Sequence, residues 1–161
     1  MLKLDLLNKI KNANENSRGD IIVVTKNKRD DLVFEIIWKL TVTAKMPVAI
    51  LTQATLKKFT KNLVFYVAGI KNEFSVSKSD WPKLTKAAED LSALGIDIYN
   101  VRGSTWLNIK NKINQSLGLA TSHPRPNYIV IDGLENQRLS VLGKLRKLAK
   151  EIKIPIVVIA K

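Results

Sequence analysis

Ile21-Ile22-Val23-Val24, introduced by Gly19-Asp20 and followed by the polar stretch Thr25-Lys26-Asn27-Lys28-Arg29-Asp30-Asp31, decides how the rest of the chain is read. Four β-branched residues in a row, without polar alternation, predict a short strand buried on both faces. Runs of the same kind recur at Pro47-Val48-Ala49-Ile50-Leu51, Tyr128-Ile129-Val130-Ile131 and Pro155-Ile156-Val157-Val158-Ile159. Ile96-Asp97-Ile98-Tyr99 is a weaker run that suits a place near a sheet edge.

Helical periods separate these runs. Leu56, Phe59, Leu63, Val67 and Ile70 recur at three-to-four spacing, with Lys57, Lys58 and Lys61 mostly off that stripe. Trp81, Leu84, Ala88 and Leu91 form a second stripe behind a Ser79-Asp80 cap, with Pro82 accommodated in the first turn. Trp106, Ile109, Ile113 and Leu117 predict a helix capped by Ser104 or Thr105, and Leu142, Leu145, Leu148 and Ile152 predict another. Phe34, Ile37 and Trp38 place a helix over 32–45, ended by Met46-Pro47. Trp38, Trp81 and Trp106 all fall on apolar helical faces and are expected in the core, not on a base-stacking surface. Apolar strands alternating with helices give an α/β fold with a mostly parallel sheet of about five strands, covered on both faces.

The 161 residues fit a single domain with enough interior to fold without staples, Met1 to Arg18 forming a lead-in segment. Asn8 to Arg18 and Thr121 to Pro126 are the most loop-like stretches, and neither reads as a domain boundary. The absence of cysteine excludes disulfides and thiolate metal sites, and the single histidine, His123, has no acidic or nucleophilic companion nearby; no metal or cofactor is expected. No run approaches the ~18 apolar residues of a membrane span, so a soluble, cytoplasmic protein without a membrane partner is expected. No Ser-His-Asp order, metal-ligand spacing or Gly-x-Gly-x-x-Gly occurs. Twenty-seven Lys and Arg against fourteen Asp and Glu give a formal charge of +13, a positive field that attracts polyanions, with nucleic acid the leading partner. A generally basic, solvated surface is the alternative, because the lysines are spread along the chain and form no block.

Four ordered segments resemble the carboxy-terminal, RecA-like domain of the DnaB replicative helicase family. Gly19-Asp20-Ile21-Ile22-Val23-Val24 is similar to the family's strand leading into its phosphate loop, and Met46-Pro47-Val48-Ala49-Ile50 to the next strand. Ser79-Asp80-Trp81 with Leu84, Ala87-Ala88, Leu91 and Ser92, followed by Ile96 to Tyr99, resembles the family's Asp-Trp-x-x-Leu-x-x-Ala-Ala segment and the strand after it. Beyond Tyr128-Ile129-Val130-Ile131-Asp132, the run from Leu145 to Ile156 resembles Leu-Lys-x-Leu-Ala-Lys-Glu-Leu-x-Val-Pro-Val. The resemblance covers almost the whole chain and implies a three-layer α/β/α fold of the P-loop NTPase type.

It also implies what is missing. A P-loop needs glycines that let backbone N–H groups close around phosphate, a lysine for the β/γ charge and a Ser or Thr for magnesium. The corresponding stretch, Thr25-Lys26-Asn27-Lys28-Arg29-Asp30-Asp31-Leu32-Val33, has no glycine, and the Gly-Lys-Thr positions carry Asp31, Leu32 and Val33. Carboxylates there repel a triphosphate by roughly 1 kcal/mol or more per close pair. The water-activating glutamate falls at about Ala54, within Leu51-Thr52-Gln53-Ala54-Thr55, and Gln53 cannot serve as a base. The glutamine after the last strand corresponds to Lys161. Only Asp132, the Walker B acid, remains; it is open to two readings, magnesium coordination or an acid held at a strand end by a neighbouring turn. The channel loop after that strand is expected to be shortened to about Gly133–Gln137, and the segment carrying the family's trans-acting arginine lies beyond Lys161. An ATPase or helicase activity of this chain alone is therefore not expected.

The remaining candidates are for nucleic-acid binding. Lys26, Lys28 and Arg29 follow what reads as a central strand, where open α/β sheets place ligands, and could hold a DNA or RNA backbone. Lys57, Lys58 and Lys61 share one helical face, and Lys144 and Lys147, with Lys150, share another. Each set reads equally as a solvated face. The function expected is a non-catalytic domain that binds nucleic acid or a replication or recombination protein. A protein-interaction paralogue, pairing with helicases or its own copies, and a residual nucleotide-binding domain are the alternatives.

Overall fold

The computed structural model describes residues 8, 19–25, 31–71, 73–118, 125–134 and 139–160. Strands β1 (Ile21–Thr25), β2 (Val48–Thr52), β3 (Ile96–Asn100), β4 (Tyr128–Leu134) and β5 (Ile156–Ala160) form one sheet in the order β1-β5-β4-β2-β3. Every neighbouring pair is parallel. Helices α1 (Leu32–Trp38), α2 (Leu56–Ala68), α3 (Trp81–Ser92), α4 (Trp106–Leu117) and α5 (Leu139–Ile152) connect or flank the strands.

Alternate residues of a strand point to opposite faces, and here both faces are apolar. Val48, Ile50, Tyr128, Val130, Val157 and Ile159 pack with Leu32, Ile36 and Ile37 of α1 and Phe59 and Leu63 of α2. Their neighbours Ala49, Leu51, Ile129, Ile131, Ile156 and Val158 pack with Ile109 and Ile113 of α4 and Leu145, Leu148 and Ala149 of α5. The sheet is therefore the middle of three layers. Past Trp38 the first helix widens into a π-helical turn, Lys39–Thr43, in which the buried Thr41 hydroxyl donates to the Ile37 carbonyl at 2.7 Å. The expected helix over 32–45 is thus present in two geometries.

Gly19 starts β1 with φ +48°, and a Cβ there would lie 1.9 Å from the Ala149 carbonyl oxygen. Only glycine lets the backbone enter the sheet directly beneath α5.

Three expectations are corrected. β1 is an edge of the described sheet, paired only with β5, and Val23 is 47% exposed, so the strand is neither central nor buried on both faces. Its composition matched a buried strand, but α5 covers only its beginning. Trp81 is 62% exposed and not core: α3 buries Ala87, with Leu84 and Leu91 partly covered, and its first turn projects beyond that contact. Trp38 and Trp106 are partly buried. The cap before α3 is also displaced. Ser77, not Ser79, forms a reciprocal box with Asp80 on the 3-10 turn Lys78–Asp80, while Pro82 occupies the first turn of α3 as expected.

Thr105 is the cap of α4, its hydroxyl accepting the Asn108 N–H. β3 does lie at an edge.

Candidate functional site

In a parallel sheet the loops at the carboxyl ends of the strands form the ligand-binding rim. Here that rim is cross-linked by residues from β2, β3 and β4. The buried Thr52 hydroxyl donates to Asp132 Oδ2 at 3.2 Å and accepts the Ala54 N–H at 3.1 Å. The Gln53 N–H reaches the Asp132 carbonyl at 3.4 Å, and the Val101 N–H the Thr52 carbonyl at 2.9 Å. The Asn100 amide donates to the Ala54 carbonyl, and its oxygen accepts the Arg102 N–H at 3.3 Å. The turn after β2 is thus held from both sides.

Asp132 sits where β4 bulges: the pairing register with β5 shifts between Asp132 and Leu134, and Gly133 has φ +86°. Its carboxylate is engaged by a threonine of the adjacent strand. Ala54, in the turn after β2, offers only a methyl group. β4 runs to Leu134 and α5 begins at Leu139, so only residues 135–138 lie between them, and the connection is as short as the sequence indicated.

Thr25 is exposed at the end of β1, and Asp31 precedes α1, its carbonyl accepting the Glu35 N–H at 3.0 Å. Lys26, Asn27, Lys28, Arg29 and Asp30 lie outside the described residues, as does His123. Lys57 and Lys58 are exposed in the first turn of α2, behind the Thr55 cap, next to the rim. Lys61, one turn further on, is paired with Glu73. The Lys144 ammonium lies 5.9 Å from the centre of the Trp106 ring, a cation–π contact that joins α5 to α4, and Lys147 is exposed. Because α2 and α5 cover opposite faces of the sheet, the two lysine sets do not merge into one patch.

Lys112 lies 5.9 Å from the Tyr99 ring centre. Burial raises the Tyr99 hydroxyl above its ordinary pKa, and the neighbouring Asp97 charge adds to the effect.

The residues that sequence reasoning missed are Thr52 and Asn100. Each is the polar residue that closes an apolar strand, directly after Val48-Ala49-Ile50-Leu51 and Ile96-Asp97-Ile98-Tyr99. That position was the available signal. Among the described residues no group of three or more His, Asp or Glu side chains is arranged to hold a metal, and no helix is long and apolar enough to cross a membrane.

An all-parallel five-stranded sheet in this order, covered by helices on both faces, is an α/β fold of the RecA-like type. Within that class the fold is that of the DnaB-type helicase domain. It matches a DnaB-like replicative helicase, described with its interactions with primase, at TM-score 0.67 and 17% identity over 89% of this chain and 40% of that one. It matches a second solved structure, an ATPase domain, at TM-score 0.67 and 16% identity over 89% of this chain and 57% of that one. The chain therefore spans about half the length of these solved structures. No protein-family model matches it, and neither does any curated protein.

Proposed function

We propose that this domain belongs to the DnaB-like lineage as a non-catalytic member that binds nucleic acid and does not hydrolyse ATP. The observation that carries the reading is the rim. Asp132 accepts the Thr52 hydroxyl, and Thr52 also holds the turn at Ala54, about where the sequence resemblance aligns the helicases' water-activating glutamate; that alignment supports the reading. What the rim offers instead is positive charge: Lys57 and Lys58 at the start of α2 and Arg102 after β3 are exposed. Lys26, Lys28 and Arg29 follow β1 in the sequence. Such groups contact phosphates and read no bases, so affinity falls steeply with salt.

An anisotropy titration with single- and double-stranded DNA and with RNA, each at two salt concentrations, tests this. Binding at low salt is expected, lost at high salt and weakened about tenfold by Lys57→Glu with Lys58→Glu, which places two like charges against the backbone. Absence of binding at low salt overturns it. Calorimetry with ATP and magnesium is expected to show no binding heat; heat that disappears in Asp132→Ala would restore the nucleotide-binding alternative.

One observation favours a protein partner as the second reading. Phe74 is 92% exposed and Trp81 62% exposed, on the connection from α2 into α3. Large exposed aromatics are characteristic of protein interfaces. The similar DnaB-like helicase interacts with primase, and a replication protein is the corresponding partner class for this chain.

A further inference from the structure

The helical period of α5 sorts its residues by face. Val141, Leu145, Leu148 and Ala149 are buried against the sheet. At about 100° per residue, the side directly opposite them carries Gly143, Lys147 and Lys150, all exposed. Lys144 and Arg146 flank that side, Lys144 reaching toward α4 at 5.9 Å from the Trp106 ring centre and Arg146 toward the start of β1 at 3.6 Å from Asp20. These two contacts fix how the helix is turned. The side with Gly143, Lys147 and Lys150 faces away from the sheet, and strands added at either sheet edge extend the layers sideways without covering it.

The charge on this side is uncompensated. Lys39, Lys61, Lys83 and Lys86, elsewhere on the helical layers, each pair with an acid. Lys147 and Lys150 make no ion pair among the described residues, and Glu151 is the single acid of α5. A helix face that only meets water is commonly laced with alternating charges.

Gly143 stands in the middle of these cations. Glycine is the poorest helix former after proline. Nothing within the fold calls for it here: its φ is not positive, and a Cβ built on it would meet nothing within 4 Å. Gly19 differs, since there a Cβ would strike the Ala149 carbonyl. A bare stretch of backbone with Lys144, Arg146 and Lys147 around it lets an anionic chain approach closely.

We propose that the outer face of α5 seats the sugar–phosphate backbone of a nucleic-acid duplex, running along the helix from Gly143 to Lys150. Lys144 to Lys150 span about 9 Å of the helix axis, comparable to the rise of two or three phosphates of one strand at about 3.4 Å each. No large apolar side chain among the described residues of α5 is exposed, so bases have nothing to stack on, which favours a duplex over a single strand. This contact rests on the nucleic-acid reading above and adds to it a second site, on the layer opposite Lys57 and Lys58.

The probe is a short fluorescein-labelled DNA duplex of mixed sequence, bound to the full chain at low salt. The complex is pulsed with an acetylating reagent, and mass spectrometry reads each lysine. The duplex is expected to protect Lys147 and Lys150 several-fold and to leave Lys83 and Lys86, on the other layer, as reactive as before. By anisotropy in the Lys57→Glu, Lys58→Glu background, Lys147→Gln with Lys150→Gln is expected to weaken binding about tenfold and to lower the salt slope by about two. Lys83→Gln with Lys86→Gln, an equal change of charge, is expected to change affinity less than about twofold and to leave the slope. Gly143→Ala is expected to raise the melting temperature yet weaken binding about threefold, a combination that a merely solvated face does not produce. Duplex binding that leaves Lys147 and Lys150 unprotected, or that is unchanged by their substitution or by Gly143→Ala, overturns this site and leaves the rim contact standing. No binding of any nucleic acid at low salt overturns both. Single strands that protect these lysines more strongly than the duplex overturn it too, as does polyglutamate that protects them as strongly, which would assign the face to an acidic protein.

Discussion

The two edges of the sheet are built from similar runs and finished differently. β3 carries Asp97 within the strand, has Tyr99 under Lys112, and ends in Asn100, whose side chain ties it to the turn after β2. β1 is β-branched and uncharged from Ile21 to Thr25, anchored at its start by Gly19 beneath α5, and paired among the described residues with β5 alone. Polar side chains secure one edge through bonds to its neighbours, whereas the other is held by its apolar faces and by the close approach of Gly19 to α5. The difference teaches that similar edge positions can be held by different means, by side-chain hydrogen bonds in β3 and by apolar packing on both core clusters in β1.

The comparison is most severely tested at Gly19. Gly19→Ala must strain a positive φ and push a methyl into the Ala149 carbonyl, so a loss of about 3 kcal/mol is expected by denaturant titration. A cost near zero would mean that β1 is not anchored as described. Thr52→Val removes one hydroxyl that serves both Asp132 and Ala54, on the side of the sheet that secures β3; about 2 kcal/mol is expected in the same assay. Asn100→Ala releases the Ala54 carbonyl and the Arg102 N–H nearer the surface, and about 1 kcal/mol is expected.

The smallest effect concerns the helix that leads into β3. The Ser77 backbone N–H, then its hydroxyl, and the nearby Lys83 hold the Asp80 carboxyl below its ordinary pKa. A depressed carboxylate pKa means stabilisation that is present above the unfolded value and lost as pH falls through the folded one. Melting temperatures of the wild type and Asp80→Asn are therefore expected to differ at neutral pH and to converge as the pH drops below about 4. A gap that persists at lower pH would place the effect of Asp80 in packing instead of charge.

Apolar runs and three-to-four periods were legible as strands and helices because burial on both sheet faces leaves an unbroken hydrophobic signal. β2, β4 and β5 are buried along their apolar runs, and Ile109, Ile113, Phe59 and Leu63 face the core as their spacing requires. The same signal misplaced Trp81. Periodicity identifies a face but not how far a neighbouring helix extends to cover it. At the rim, Ala54 and Asp132 could be picked out in the chain just past the ends of apolar runs, whereas the Thr52 hydroxyl between them could not, since Thr52 and Asp132 are brought together only by the pairing of β2 with β4.

By itself the sequence determined the alternation of strands and helices, the both-sided burial of the central strands and the short connection after β4. These are local matters of side-chain chemistry and spacing. Strand order, the separation of the Lys57–Lys58 and Lys144–Lys147 faces onto opposite layers, and the place of β1 beside β5 at one end of the described sheet were decided only by the tertiary structure. Which strand lies beside which, and which side chains meet across the sheet, depends on contacts between residues far apart in the chain, and no local pattern encodes them.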